Sequence, residues 1–412
     1  MKLAMPIGVD DFQEVREGYY FVDKSGFLSD FFPGHAKVTL FTRPRRFGKT
    51  LTLSMLRYFF DLEGVEKHRA LFDGLTVSRD AAMMAEMGRH PVLFFTLRGW
   101  KARDWEEMKG TIAVGLQKVA KQYKFLLESD RVDPHDRSIL QSIYEGRASL
   151  LQLRTAPELL LGMLEAHYGR KAVLLLDEYD TPVQTAWEYG YYNEAIDFFR
   201  VFLTTALKTN LSLDFAVLTG VLRISKESIF SDLNNLKVDS ILQPKHPTAF
   251  GFTAEEVAKI AHDFGREDKL PEIKAWYDGY RIDGYELYNP WSVLNYFDAG
   301  CEPQAYWVNT SGNAILAELM KSADQEHFEC LDSLLKDKTV TAFLRDNITY
   351  DDICEDPDVF CTMLYTSGCL SLESKRMFTG EPEYVLRLPN LELRQWFKAH
   401  SSCLDVQIDF DL

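Results

Sequence analysis

The sequence predicts an α/β fold with a parallel sheet flanked by helices, and three observations predict it. Lys37 to Phe60, KVTLFTRPRRFGKTLTLSMLRYFF, reads as a short β-prone run, a basic loop and a helix. Pro91 to Leu97 and Lys171 to Leu176 are continuous apolar runs, as expected of strands buried on both faces of a sheet. Leu213 to Gly220 repeats that pattern, and helix-like stretches at 104–128, 135–166 and 192–209 separate the runs.

In the first stretch Val38, Leu40 and Phe41 form the strand, and Pro44, lacking an N–H, ends it. The basic loop is Arg43-Pro44-Arg45-Arg46-Phe47. Gly48-Lys49-Thr50-Leu51 then opens a helix whose apolar residues Leu53, Met55, Leu56, Phe59 and Phe60 approximate helical spacing. Strand, loop, Gly-Lys-Thr and helix is an arrangement that binds nucleotide phosphates. Backbone N–H groups of the loop and the helix N-terminus point at the anion, the lysine reaches the outer phosphates, and the threonine hydroxyl can ligate Mg²⁺. Arg43 to Leu51 is therefore the expected nucleotide-binding segment. Arg43 stands where the full G-x-x-x-x-G-K-[ST] pattern has its first glycine, and a solvated basic turn is the alternative reading.

The second signal is the aliphatic run ending on Asp177-Glu178. Carboxylates at the C-terminal tip of a buried strand sit where α/β sheets bind ligands. Asp177, with Thr50, is expected to hold Mg²⁺, and Glu178 to polarise the attacking water. Thr219, at the end of Leu213 to Gly220, reaches the same edge of a parallel sheet and is expected to sense the γ-phosphate. Arg223 and Lys226 follow, and one of them is expected to neutralise phosphate charge in cis or in trans; surface cations on a loop are the equal alternative. Together these features predict a P-loop nucleoside triphosphatase fold.

The chain of 412 residues has a net charge of −16, which disfavours broad binding to nucleic acid or an anionic membrane. A basic loop in an acidic chain favours a small polyanion. No stretch is long and apolar enough to span a bilayer, and MKLAMPIGVDDF lacks a signal-peptide core, so a cytoplasmic location is expected. The six cysteines all follow residue 300 and form no C-x-x-C pair, which reads as free thiols rather than zinc ligands.

Four regions are expected: an N-terminal arm (1–35), a P-loop ATPase core (36–249), a helical lid (250–335) and a winged-helix-like region (336–412). The arm holds Tyr19-Tyr20-Phe21-Val22 and a short helix at 26–32, and either packs on a base or serves as a packing arm. Thr253 and Glu256 form a capping box before a helix. The aromatics Trp276, Tyr277, Tyr280, Tyr285, Tyr288 and Trp291 read as core or interdomain packing, with Tyr285 to Trp291 a turn that opens another helix. Helices near 312–322, 326–336 and 356–366 precede a hairpin formed by 368–372 and 384–388. The acids Asp351, Asp352, Glu355, Asp356 and Asp358, without a basic recognition helix, favour packing or protein contact over DNA.

With TRPRRFGKTLTLSMLRYFF, YYFVDKS, LLLDEYDTPV and LTGVLRISKESIFSDLNNLKVDS in view, the chain resembles the bacterial AAA-ATPase-like family of the wider AAA+/STAND group. The resemblance runs from Pro6 to about Phe397, and the Arg-Pro-Arg-Arg-Phe-Gly-Lys-Thr form is typical of that family. It implies that Lys49 and Thr50 are the Walker A pair, Asp177 and Glu178 the Walker B pair, and Thr219 the sensor. Many members continue into a PD-(D/E)XK nuclease-like domain. Glu373-Ser374-Lys375 fits that motif by spacing only, inside the part matched to the ATPase, and nothing after Leu388 supplies it. The expected function is Mg²⁺-dependent ATP binding and hydrolysis; the alternative is a nucleotide-gated switch or scaffold with negligible turnover. Expected partners are ATP and ADP, with a protein partner or self-association left open, nucleic acid disfavoured and no membrane. Adenine over guanine is implied by the resemblance, and no Asn/Thr-Lys-x-Asp motif appears.

Overall fold

A five-stranded parallel sheet carries the long apolar runs. A computed structural model describes residues 3–223, 233–307, 325–346, 348 and 356–401. The strands are β1 (Val38–Thr42), β2 (Val92–Thr96), β3 (Ala172–Asp177), β4 (Leu213–Gly220) and β5 (Leu236–Asp239), in the order β2-β3-β4-β1-β5. All four pairings are parallel, with Phe41 opposite Thr219 and Thr96 opposite Asp177. That register brings the carboxyl ends of β1, β2, β3 and β4 to one edge, where the chemistry-bearing residues stand.

Every residue of β1 and β3 is buried, which is why β3 reads as an unbroken apolar run up to Asp177 and β1 as an apolar run interrupted by Thr39. Each Val, Leu or Phe so buried contributes about 1.5–3 kcal/mol. Helix Lys49–Phe60 buries Leu53, Leu56, Phe59 and Phe60 against the sheet. Helix Tyr192–Leu207 turns Phe199 and Phe202 towards Trp100. The helical stretch expected at 135–166 is three helices: Pro134–Tyr144, Leu150–Arg154 and Ala156–Tyr168. Gly146 at φ 72° ends the first, a Ser149–Gln152 capping box starts the second, and Pro157 sits in the first turn of the third.

The 250–300 segment departs further from expectation. Thr253 caps helix Ala254–Phe264 through the expected box with Glu256. Tyr285 to Tyr288, however, is strand rather than turn. β6 (Phe252–Thr253), β7 (Tyr280–Ile282) and β8 (Tyr285–Tyr288) form an antiparallel sheet of order β6-β8-β7. Asp283 and Gly284, both at positive φ, make the two-residue link from β7 to β8, the backbone such hairpins require. Helix Pro290–Asp298 follows, capped by Asn289.

Beyond it lie helix Gln325–Leu335, β9 (Val340–Ala342), helix Pro357–Ser367, β10 (Ser371–Phe378), β11 (Glu381–Arg387) and helix Leu391–Ser401. The three strands pair antiparallel in the order β10-β11-β9. The expected helix near 312–322, Lys226, and the acids Asp351, Asp352 and Glu355 lie outside the described residues.

Among the described residues two hydrophobic clusters result. The larger surrounds the parallel sheet and runs on into the C-terminal helices. The smaller gathers Val257, Ile260, Ile273, Tyr277, Tyr296 and Phe297. The first 35 residues feed both: Phe12, Phe27 and Phe31 enter the larger, whereas Met5, Ile7, Tyr20 and Val22 pack in the smaller.

β5 escaped the sequence reading because it is four residues long. It nonetheless seats the buried Arg43, whose guanidinium donates to the Asp239 carboxylate at 2.8 Å and to the Asp239 and His246 carbonyls at 2.7 and 3.1 Å. Arg43 is thus a strut between the ends of β1 and β5, correcting its expected place among the phosphate-facing cations. Burial works against the Asp239 charge, yet His246 and Arg43 outweigh it and hold the carboxyl below its usual pKa. Removing one partner of a buried pair strands the other. Arg43→Ala is therefore expected to destabilise the fold by about 3–5 kcal/mol, read by urea unfolding.

Candidate functional site

At the carboxyl edge of the parallel sheet lies a cavity of about 790 Å³. Its floor is the loop after β1. Gly48 takes φ 87°, outside the range of most side chains, and caps helix Lys49–Phe60 so that the first N–H groups of the helix face inward. Lys49 lies beneath, its ammonium donating to the carbonyls of Arg43 at 2.9 Å and Pro44 at 2.8 Å. Burial lowers its pKa to about 8, although Glu178, Asp180 and Asp177 pull the other way.

Asp177 closes β3 and is fully buried. One of its oxygens accepts the Thr50 hydroxyl at 2.8 Å and the other accepts the Thr219 hydroxyl at 2.6 Å. Burial raises its pKa, and among the described residues no cation lies within ion-pair distance. Glu178 follows at φ 52°, a left-handed conformation rare for a side chain of this kind. That turn carries its carboxylate into the cavity, where it accepts the Thr181 hydroxyl at 3.1 Å and meets the Arg98 guanidinium at 3.5 Å. Asp180 is also buried and accepts the N–H groups of Val221 and Leu222 at 2.8 and 3.0 Å, pinning the chain as it leaves β4. Burial raises its pKa too. Gly220 is required here: a Cβ would sit 2.6 Å from the Tyr179 ring and 2.9 Å from Asp180.

Residues 6–230 match the family model described as Predicted AAA-ATPase. The chain belongs to that AAA-ATPase-like family. It is also 29% identical, over 394 residues, to an uncharacterized protein in the vnfD 5'region of Azotobacter chroococcum mcd 1, covering 95% of this chain and 68% of that relative. No solved structure matches it.

The expected site residues of this AAA-ATPase-like chain divide into three groups. Lys49, Thr50, Leu51 and Glu178 line the cavity, as do Arg45, Arg46, Phe47 and Gly48. Arg45 donates to Gln184 at 2.7 Å, and Arg46 stacks its guanidinium 4.3 Å over Trp291. The buried Phe47 ring packs edge-on against Tyr280. A second group, which includes the fully buried Arg43 and Asp177 described above, stands behind the cavity wall. Pro44 offers its carbonyl to Lys49 and its ring to Gly368. Thr219 is fully buried with its hydroxyl on Asp177, so it positions that carboxylate rather than facing a γ-phosphate. The third group is Arg223, which is not part of the lining.

Among the described residues the cation paired with Glu178 is instead Arg98, which the sequence reading missed. It stands two residues past the end of β2, and it pairs with Asp10 of the arm at 2.5 Å as well as with Glu178. The available signal was positional: a charged residue just beyond the carboxyl end of a parallel strand. Aromatic and apolar groups also line the cavity, with Tyr20, Phe21 and Val22 from the arm and Phe250, Phe252 and Trp291 from later in the chain.

A carboxyl whose pKa is raised on folding costs stability at neutral pH, where the unfolded chain ionises it freely. Asp177→Asn removes that charge and keeps the size. It is expected to stabilise the metal-free protein by about 0.5–2 kcal/mol, measured as a higher melting temperature.

Proposed function

We propose that the chain binds ATP with Mg²⁺ and hydrolyses it to ADP and phosphate. The observation that carries this reading is the Lys49–Thr50 helix start set against Asp177-Glu178 at the carboxyl ends of one parallel sheet. The N–H groups of the loop hold the phosphates. Lys49 exchanges the carbonyls of Arg43 and Pro44 for the β- and γ-phosphate oxygens. Thr50 and Asp177 are hard oxygen donors already in contact, which suits Mg²⁺. Bound there, Mg²⁺ would neutralise charge on the phosphate oxygens. Glu178 takes the proton of the attacking water, and Arg98 sets its orientation. The aromatic wall from the arm and from Phe250 to Phe252 suits a flat base. We place this activity in the cytoplasm; among the described residues no helix is long and apolar enough to cross a membrane.

A second reading, the nucleotide-gated switch with negligible turnover, is favoured by what later stretches of the chain set against the loop. Trp307 Nε1 donates to the Arg45 carbonyl at 3.2 Å, Trp291 faces Arg46, and Gly368 abuts Pro44. In that reading the lid (250–335) and the winged-helix-like region (336–412) respond to what fills the core (36–249). The order of helix Gln325–Leu335 at the end of the lid, then β9, helix Pro357–Ser367 and the β10–β11 hairpin supports the winged-helix reading. Multiple-turnover phosphate release separates the two.

Two tests follow from these roles. Lys49→Ala is expected to abolish the ATP-induced rise in melting temperature. Glu178→Gln is expected to keep that rise and to slow phosphate release about 10²-fold or more. Turnover by Glu178→Gln at the wild-type rate would remove Glu178 from the mechanism.

The Lys49 pKa sets a pH dependence. Below about pH 8 the ammonium is charged before ATP arrives. Above it the free protein loses that proton and must regain it on binding, so affinity falls by up to about tenfold per pH unit. Calorimetry in buffers of differing ionisation heat is expected to show proton uptake at pH 9 and almost none at pH 7. Lys49→Met is expected to lose the uptake.

A further inference from the structure

Helices Gln325–Leu335 and Pro357–Ser367 meet along one line of contact. The His327 ring lies 4.4 Å from the Phe360 ring, and one turn further on Cys330 Sγ lies 3.8 Å from Cys361 Sγ. Both are free thiols, with Cys330 half-buried and Cys361 buried. A disulfide needs its sulfurs about 2 Å apart. Two sulfurs already in contact therefore need a movement of roughly 1.8 Å to bond. The pair is also asymmetric. The contact between them, in which either sulfur can donate, lowers the Cys330 pKa and, together with burial, raises that of Cys361. The more accessible sulfur is the readier thiolate, and thiolate character with access decides which cysteine an oxidant meets first.

We propose that Cys330 and Cys361 are a redox modification site, closed to a reversible disulfide by a hydroperoxide. The Cys330 thiolate attacks the peroxide, the O–O bond breaks, and Cys330 becomes a sulfenic acid while hydroxide leaves and is protonated. The Cys361 sulfur then attacks the Cys330 sulfur. The S–S bond forms, the S–O bond breaks, and the departing hydroxide takes the Cys361 proton. With hydrogen peroxide, two thiols and one peroxide give one disulfide and two waters. The sulfurs lose two electrons and the peroxide oxygens gain them. Disulfides in reducing compartments are chiefly of this transient, sensing kind.

The bond has a mechanical target. Helix Pro357–Ser367 ends on Gly368, at φ 91°, so close to the phosphate loop that a Cβ there would lie 2.8 Å from Pro44 Cβ. The Pro44 carbonyl holds Lys49. A helix restrained by the disulfide fixes Pro44, and with it the arrangement that ATP must undo to reach Lys49. Oxidation therefore weakens ATP binding, a consequence that rests on the ATP reading above; the disulfide itself does not.

The test oxidises the reduced full chain with hydrogen peroxide, alkylates it with N-ethylmaleimide under denaturing conditions, and maps the peptides by mass. Expected are a loss of 2 Da, a linked Cys330–Cys361 peptide and full reversal by dithiothreitol. Cys330→Ser and Cys361→Ser each lose the linked peptide, whereas Cys301→Ser, in the smaller cluster, keeps it. Alkylation of both cysteines after peroxide, or Cys330 found only as sulfinic acid, overturns the proposal. In the same oxidised sample the ATP Kd is expected to weaken about fivefold or more. A mapped disulfide with an unchanged Kd overturns the coupling to the loop. A reduced chain that binds no ATP overturns the ATP reading, and the peptide map stands apart from it.

Discussion

The Asp177 carboxylate is out of water and has two hydroxyls for company, and the geometry of the site is built around holding it there. Thr50 comes from the helix after β1 and Thr219 from the end of β4, so one buried anion ties together three elements of the sheet edge. The hydroxyls satisfy its lone pairs without cancelling its charge. That arrangement costs stability, as expected where function and stability pull apart. Asp180 repeats the theme with backbone N–H donors, fixing the chain that leaves β4. Between them these two acids set the spacing of the three strand ends that face the cavity.

Local chemistry explains what could be read from the sequence. β3 is buried on both faces and shows an unbroken apolar run, and β1 and β4 come close to one, interrupted by Thr39 and Asp214. The loop declares itself through Pro44, Gly48 and the Lys49-Thr50 pair. Asp177 and Glu178 stand out because ionisable residues are rare at the end of such a run. What stayed hidden depends on partners far away in the chain. Nothing near Arg43 signals that Asp239 will receive it, and nothing near Thr219 signals that its hydroxyl will turn to Asp177. Arg98 gains meaning only when the pairing of β2 with β3 sets Thr96 beside Asp177. The break of 135–166 into three helices and the β7–β8 hairpin were legible in principle, from Gly146, Pro157 and Asp283-Gly284.

The loop itself is pressed from two sides. The sheet and its acids lie on the inner side. Trp291, Trp307 and Gly368 bear on Arg46, Arg45 and Pro44 from stretches that follow the matched family region in sequence. Arg46, at φ 64°, stacks on Trp291 within the cavity lining while Lys49 donates back to the carbonyls of Arg43 and Pro44, so two cations of one loop serve different neighbours. Any shift of the loop is therefore felt on both sides at once.

The division of the arm between two hydrophobic clusters also bears on how the chain is made. Met5, Ile7, Tyr20 and Val22 leave the ribosome early, yet the residues they pack against lie between Phe252 and Cys301. At roughly 5–20 residues per second, that is on the order of ten to fifty seconds without a partner. β1 waits in the same way for β4 and β5, which begin at Leu213 and Leu236. The nascent protein thus spends most of its synthesis with its first apolar segments exposed, and chaperones that hold early-emerging hydrophobic stretches have a long window in which to act.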